Sequence, residues 1–237
     1  MLAVKSQNTG RNPPDSSSAS RRALLRRSPM FSHLSDNEAD AILAEARIVR
    51  YGDGALIFTK GDPGNSMMAV LRGQVAIGDP SPDGRHLVLT VFREGDVFGE
   101  MALLDGKERS ATATAAAECE LLVVPRLSFL RFLERRPDAC LELMVLLCER
   151  LRRTNEQVED LAFLTLERRV AKLLLRLADE AGPRPKLKIS QRALAELVGG
   201  SRERINKLLQ QWKQAEIIAT NQGSIQICDR EALVDLA

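Results

Sequence analysis

Two short stretches of this 237-residue chain carry side chains whose types and spacing could do chemistry. In the first, Phe98-Gly99-Glu100-Met101-Ala102-Leu103-Leu104 is followed by Arg109-Ser110-Ala111-Thr112-Ala113. A short helix opened by glycine leaves backbone N–H groups free, and these, with the helix dipole, favour a bound phosphate. An arginine can add charge-assisted hydrogen bonds to the same anion and a serine hydroxyl a neutral one. Glu100 needs a different task, because a carboxylate repels a phosphate but accepts a hydrogen bond from a hydroxyl. The second stretch is Ser201-Arg202-Glu203-Arg204-Ile205-Asn206-Lys207. Arginine can pair with guanine O6 and N7, and glutamate can accept from cytosine N4. At helical spacing Arg202, Glu203 and Lys207 project from one face, opposite Ile205, Leu208 and Leu209.

The elements that must position these residues follow from the surrounding pattern. Ser35-Asp36-Asn37-Glu38 reads as a capping box that opens a short helix with Ile42 and Leu43 on its apolar side. Between Tyr51 and Val124, short β-type runs are separated by Gly52-Asp53-Gly54, Gly61-Asp62-Pro63-Gly64-Asn65, Gly78-Asp79-Pro80, Pro82-Asp83-Gly84 and Glu94-Gly95-Asp96. Strands at that spacing predict a double-sheet or closed antiparallel fold. After Pro137 the period changes. Leu141, Met144, Cys148, Leu151, Asn155, Val158 and Ala162 alternate spacings of three and four, a heptad seam in which Asn155 is the register-fixing polar member. The seam predicts a homodimer. Val170, Leu173, Leu174 and Leu177 mark a further helix stopped by Gly182 and Pro183. Ser190 and Ser201 then each cap a helix, the first carrying Leu194 and Leu197, with Gly199-Gly200 between them, which is helix-turn-helix grammar. Ile225 and Ile227 alternate around Gln226 as in a small β-wing, and Trp212 reads as core.

The cassette from Phe98 to Ala113 resembles that of cyclic-nucleotide-binding domains, and residues 30 to 230 as a whole resemble the CRP/FNR transcription factors, in particular their cyclic AMP receptor branch. The resemblance is tightest over Thr154-Asn155-Glu156-Gln157-Val158-Glu159-Asp160-Leu161-Ala162-Phe163-Leu164. It implies an α+β chain in four parts: a flexible basic tail (1–28), an antiparallel β-roll or jelly-roll ligand domain (29–136), a dimerisation helix and hinge (137–163), and a winged helix-turn-helix (164–237). By the same resemblance Gly99, Glu100, Met101, Ala102, Arg109 and Ser110 hold the cyclic nucleotide, Arg109 on the phosphate and Glu100 on the ribose 2′-hydroxyl. Thr154 matches the position that reads the adenine edge, and Asn155 stands where the family branch has a serine from the other subunit. An amide offers donor and acceptor together, so cyclic GMP, cyclic di-GMP or no ligand stays open beside cyclic AMP. Arg202, Glu203 and Lys207 match base-reading positions on a palindromic operator with TGTGA-like half-sites, Lys207 replacing an arginine and losing its planar fork. Ser190, Arg192, Ser201 and Arg204 are expected around them as phosphate, capping or flanking contacts, with Gln191 in place of a basic residue. The expected partners are double-stranded DNA, a cyclic nucleotide, a second copy of the chain and RNA polymerase. Ligand binding is expected to reposition the DNA-binding domains about a hinge at Leu161–Thr165, setting the recognition helices about 34 Å apart.

Composition agrees with that reading and argues against others. Hydrophobic residues are 44% and charged residues 28%, ordinary globular usage. The net charge of +2 hides a split of +5 over residues 1–35, −7 over 36–162 and +4 over 163–237. Residues 186–213 alone hold seven basic side chains and two acids, which suits a nucleic-acid contact. The first 28 residues lack an apolar h-region, and Asn12-Pro13-Pro14-Asp15-Ser16-Ser17-Ser18 with Arg21-Arg22 reads as a disordered basic extension. No apolar run approaches the length of a spanning helix. Cys119, Cys140, Cys148 and Cys228 form no CxxC pair, so neither a metal nor a resident cofactor is expected, and free thiols point to a reducing, cytoplasmic setting. The absence of any cysteine before Cys119 argues against an iron–sulfur sensor, and Gly99-Glu100 against the haem-binding relatives. An enzyme built on Cys119 or a serine with His33 or His86 is not expected, since neither histidine stands beside a nucleophile in the motif map.

Overall fold

The computed structural model describes residues 18–80, 86–182, 186–221 and 223–237. The turn Pro82-Asp83-Gly84, the break at Pro183 and the first 17 residues of the expected tail lie outside the described residues.

The end of that tail is a correction. Residues Ser18–Leu25 form helix α1 rather than an extension of a flexible segment. Its cause is tertiary: Leu25 is buried, and Arg22 and Arg26 reach Asp40 at 2.7 Å and Asp36 at 2.6 Å on helix α2 (Asp36–Glu45). Helix α2 opens as its sequence predicts, with Ser35 Oγ accepting from the Glu38 amide while the Glu38 carboxylate accepts from the Ser35 amide.

The turn-separated runs then fold as β1 (Arg47–Tyr51), β2 (Leu56–Phe58), β3 (Ser66–Arg72), β4 (Val75–Pro80), β5 (His86–Phe92) and β6 (Val97–Phe98). Helix α3 (Glu100–Asp105) interrupts them before β7 (Thr112–Ala115) and β8 (Cys119–Pro125). One sheet has the order β1-β8-β3-β6 and the other β2-β7-β4-β5, the double-sheet antiparallel roll that the turn spacing predicts. Met68, Val70, Phe98, Leu121 and Val123 of the first sheet meet Val75, Ala113 and Ala115 of the second in a common core. Strands β3 and β8 do not show polar alternation, because helices cover their other face. Met67, Ala69, Leu122 and Val124 are buried as well, against α1, α2 and helix α4 (Arg126–Arg135).

Helix α5 (Pro137–Phe163) follows, then α6 (Leu166–Ala181), with Thr165 capping α6 through the Arg168 amide. The helical break at 164–165 falls inside the expected hinge. Strand β9 (Lys186–Lys188), α7 (Gln191–Val198), α8 (Arg202–Gln214), β10 (Ile218–Asn221), β11 (Ser224–Ile227) and α9 (Arg230–Asp235) complete the chain, the strands forming a sheet of order β10-β11-β9. The helix-turn-helix and wing close on one core of Val170, Leu174, Leu194, Ile205, Leu209, Trp212, Ile218 and Ile225.

The chain divides into two compact units, residues up to 77 with 91–146, and 78–90 with 147–237. The division therefore falls within α5. The facing ends of β4 and β5 group with the second unit, where Gln157 Nε2 donates to the Leu89 carbonyl at 2.8 Å.

Candidate ligand cassette and nucleic-acid interface

The sequence-predicted cassette is assembled in the first unit around Arg109. Gly99 follows β6 in the left-handed region, φ +78°, and stands at the N-cap of α3. A Cβ built there would lie 2.5 Å from Arg109 Nη1, so glycine is required twice over: by its backbone and by its neighbour. Arg109 is 5% exposed and Glu100 2%. The guanidinium donates through Nη1 to the Gly99 carbonyl at 2.8 Å and through Nη2 to the Ser66 carbonyl at 2.7 Å and Ser66 Oγ at 3.2 Å. Its Cζ lies 4.3 Å from the centre of the Phe58 ring. Burial pushes the Arg109 guanidinium below its ordinary pKa, and the carboxylates of Glu100 and Asp62 oppose that shift. An arginine stays charged under any such shift, so the site holds a permanent buried cation.

The segment carrying Arg109, between α3 and β7, is fixed by the Gly61–Asn65 turn. The Arg109 amide donates to the Asp62 carbonyl at 2.8 Å, and the Gly61 amide to the Arg109 carbonyl at 2.9 Å. Sequence reasoning named Arg109 but missed Ser66 and Phe58, which lie far upstream and reach it only through sheet register. Ala102 is buried and packs where a Cβ on Gly64 would otherwise sit, at 2.2 Å; its role is to seat α3. Met101 and Ser110 are exposed, with the Ser110 hydroxyl directed at Met101 Sδ at 3.9 Å.

Arg109 Nε is buried and has no hydrogen-bond partner. A buried donor in that condition costs free energy that an anion would recover, so the residues present fit a phosphate group. With only six residues, α3 adds a small dipole, and the arginine's full charge is the larger attraction. Thr154 and Asn155 lie exposed on α5 in the second unit, and Thr154 Oγ1 donates to the Arg150 carbonyl at 2.9 Å.

The second constellation is also formed as its spacing predicts. Ser190 and Ser201 accept from the amides of Ala193 and Arg204, capping α7 and α8. On α8, Ile205, Leu208, Leu209 and Trp212 are buried while Arg202, Glu203, Arg204 and Lys207 are exposed, so the charged side chains form the solvent face. Arg192 is exposed and bound to Glu196 at 2.9 Å, and a DNA phosphate would have to compete for it. Sequence reasoning did not find the Gln191 Nε2 to Asn206 Oδ1 hydrogen bond of 3.1 Å, which ties α7 to α8.

Cys119 is buried, and burial pushes its thiol pKa up, away from the thiolate a nucleophile needs. His33 is exposed and faces Glu142 at 3.9 Å. Among the described residues no group of His, Cys, Asp and Glu could hold a metal ion, and no helix is long and apolar enough to cross a membrane.

A β-roll with a buried arginine–glutamate cassette, joined by a long helix to a winged helix-turn-helix, defines a DNA-binding regulator with a domain for a small anionic ligand. Comparison with known families makes that class specific. Residues 48–136 match the cyclic nucleotide-binding domain and residues 168–236 the Crp-like helix-turn-helix domain. A CRP-like cAMP-activated global transcriptional regulator of Mycobacterium tuberculosis is 32% identical over 216 residues, covering 89% of this chain and 96% of its own. The cyclic AMP receptor protein of Thermus thermophilus is 32% identical over 213 residues, covering 90% and 98%. Among solved structures, the c-di-GMP responsive global regulator CLP of Xanthomonas campestris superposes with a TM-score of 0.72 at 27% identity, over 81% of this chain and 99% of that one. The chain belongs to the CRP/FNR family of transcriptional regulators, with a cyclic nucleotide-binding domain and a DNA-binding helix-turn-helix.

Proposed function

We propose that the chain acts as a homodimer whose affinity for a palindromic operator is raised by a cyclic nucleotide, with cyclic AMP as the ligand. The observation that carries the ligand site is Arg109: a buried cation beside a left-handed glycine, with an unsatisfied Nε donor. A phosphate supplies the missing acceptor and the counter-charge, while buried Glu100 can accept from a ribose hydroxyl. Thr154 and Asn155 take the base-reading role that the family pattern gives those positions. Relatives include one named for cyclic AMP activation and a structural neighbour named for c-di-GMP response, so the identity of the base is where this reading is most exposed to test.

The dimer is supported by α5. All seven seam positions, Leu141, Met144, Cys148, Leu151, Asn155, Val158 and Ala162, are exposed on the single chain. Leu141 and Leu151 are each 61% exposed, Val158 59% and Met144 52%. An apolar stripe left open at heptad spacing calls for a second helix of the same kind. Within the operator, Arg202, Glu203 and Lys207 read bases, while Ser190, Arg192 and Arg204 contact phosphates. RNA polymerase is the partner through which operator occupancy changes transcription, and the cytoplasm is the compartment where both are met.

The test is a calorimetric titration of the full chain with cyclic AMP, cyclic GMP and cyclic di-GMP, beside an Arg109→Ala variant. Micromolar or tighter binding of cyclic AMP, lost in the variant, supports the reading. Binding of another of the three in its place corrects the ligand, and silence from all three removes the ligand-gated part while leaving a DNA-binding protein.

A further inference from the structure

We infer that Met101 is an oxidation switch on the ligand cassette: its thioether, converted to the sulfoxide by hydrogen peroxide, captures the Ser110 hydroxyl and lowers affinity for the cyclic nucleotide. This rests on the reading of Arg109 and Ser110 as the phosphate contacts. Met101 lies on α3 beside Glu100 and is 53% exposed, whereas Ala102 and Leu103, which follow it, are buried. Its Sδ is the atom toward which the exposed Ser110 hydroxyl is directed, at 3.9 Å. Ser110 directly follows the buried Arg109, so the sulfur stands beside a hydroxyl that a phosphate on Arg109 would also claim. Of the other methionines, Met30, Met67 and Met68 are buried, Met144 belongs to the α5 seam, and Met1 lies outside the described residues. Met101 is thus both open to a dissolved oxidant and in contact with the cassette.

Oxidation changes what Ser110 faces. A thioether sulfur is a weak acceptor, so the hydroxyl leaves it readily for a phosphate oxygen. A lone pair of the sulfur attacks one oxygen of hydrogen peroxide, forming an S–O bond as the O–O bond breaks. The proton on the transferred oxygen passes to the departing hydroxide, which leaves as water; the sulfur is oxidised by two electrons and the peroxide reduced by two. The product side chain is polar where the methionine was apolar. Its flexible stem can turn the sulfoxide oxygen to the Ser110 hydroxyl, making a hydrogen bond that a phosphate must break. The same oxygen places partial negative charge at a site whose ligand is an anion. Both effects act against binding. The change is reversible, because methionine sulfoxide reductases, one for each sulfoxide epimer, return the thioether and release the oxygen as water with two electrons from a dithiol.

The experiment treats the full chain with graded hydrogen peroxide, then with dithiothreitol to reverse oxidation of the exposed Cys148 and Cys228 thiols. Peptide mass spectrometry reads the oxygen gained by each methionine, and calorimetric titration with cyclic AMP, cyclic GMP and cyclic di-GMP reads the site. Wild type, Met101→Leu and Met144→Leu are compared, each before and after peroxide. Peroxide should oxidise Met101 ahead of Met30, Met67 and Met68, and wild-type affinity should fall with the oxidised fraction, by about tenfold or more at completion. Treatment with the two reductases should restore it. Met101→Leu, a substitution that conserves volume, should show the same affinity before and after peroxide, whatever its starting value, while Met144→Leu should lose affinity as wild type does. Unchanged affinity in wild type oxidised at Met101, or an equal loss in peroxide-treated Met101→Leu, would overturn the inference. So would a Met101 that stays reduced while the buried methionines are oxidised. Untreated wild type that binds none of the three nucleotides would remove the cassette reading, and this inference with it, whereas binding that survives oxidation of Met101 removes this inference alone.

Discussion

Replacing Gly99 with alanine tests the cassette's geometry, because the structure supplies its own control. Gly99 and Gly106 flank α3 at nearly the same backbone angle, φ +78° and +72°. A Cβ on Gly106 meets nothing within 4 Å, whereas one on Gly99 comes within 2.5 Å of Arg109 Nη1. Gly106→Ala should thus cost only the left-handed strain of an L-residue, about 1–2 kcal/mol. Gly99→Ala carries the same strain and must also push the guanidinium aside by close to an ångström. That breaks the 2.8 Å bond to the Gly99 carbonyl and strains the 2.7 Å bond to Ser66. Loss of one charge-assisted hydrogen bond adds about 1.5–3 kcal/mol, for a total of about 2.5–5 kcal/mol. Urea unfolding followed by circular dichroism reads the β-roll, while fluorescence of Trp212, the single tryptophan, reads the winged-helix core. Gly99→Ala should destabilise the β-roll by the larger amount and lower cyclic nucleotide affinity at least tenfold. Gly106→Ala should bind like wild type. Equal costs for the two variants, or wild-type ligand affinity in Gly99→Ala, would refute the argument that Gly99 exists to seat Arg109.

Other consequences are open to direct measurement. Arg202→Ala with Lys207→Ala should abolish preference for a selected operator over random DNA while leaving nucleotide binding unchanged; retained preference in a mobility-shift competition would sink the recognition-helix assignment. Leu151→Asp places a charge at the centre of the exposed seam and should convert a dimer to monomer in sedimentation, whereas an unaltered sedimentation coefficient would remove α5 as the interface. Arg136 links Glu38 and Asp138. Hydrogen bonds from Ser35 and Arg136 hold the Glu38 carboxyl down at about 2, and the Arg136 hydrogen bond holds Asp138 at about 2. Carboxyls depressed in the folded state contribute stability above the unfolded carboxylate range near 4, and that contribution is lost as pH falls toward 2. Arg136→Leu should therefore lower stability at pH 7 and flatten the fall between about pH 5 and pH 2. Asp138 is exposed and Glu38 and Arg136 are only half-buried, so salt should weaken the effect, and a variant with the wild-type pH profile would contradict it.

Features decided within a few residues were legible in the sequence. The Ser35–Glu38 box, the Ser190 and Ser201 caps, the turns of the roll and the heptad stripe on α5 each depend on local spacing. Features decided by partners distant in the chain were not. Ser18–Leu25 has no periodicity of its own and is helical because Leu25 is buried and its arginines reach α2. Arg109 could be named from its motif, but Ser66 and Phe58, which hold it, arrive through strand pairing rather than sequence proximity. The same limit hid the Gln191–Asn206 bond. Both residues were visible as polar positions on adjoining helices, yet only the crossing of α7 and α8 brings their amides together. The grouping of the 78–90 segment with the C-terminal half of α5 likewise follows from packing that no local pattern encodes.

The central claim is that occupancy of the Arg109 cassette controls how tightly α8 and its symmetry mate hold DNA. It is tested most directly by measuring the dissociation constant of the full chain for a library-selected palindrome, with and without saturating cyclic AMP, cyclic GMP or cyclic di-GMP, at one fixed salt concentration. The account predicts that cyclic AMP tightens operator binding at least tenfold and that Arg109→Ala erases the gain without changing the ligand-free value. An operator affinity that is the same with no nucleotide and with each of the three would contradict it.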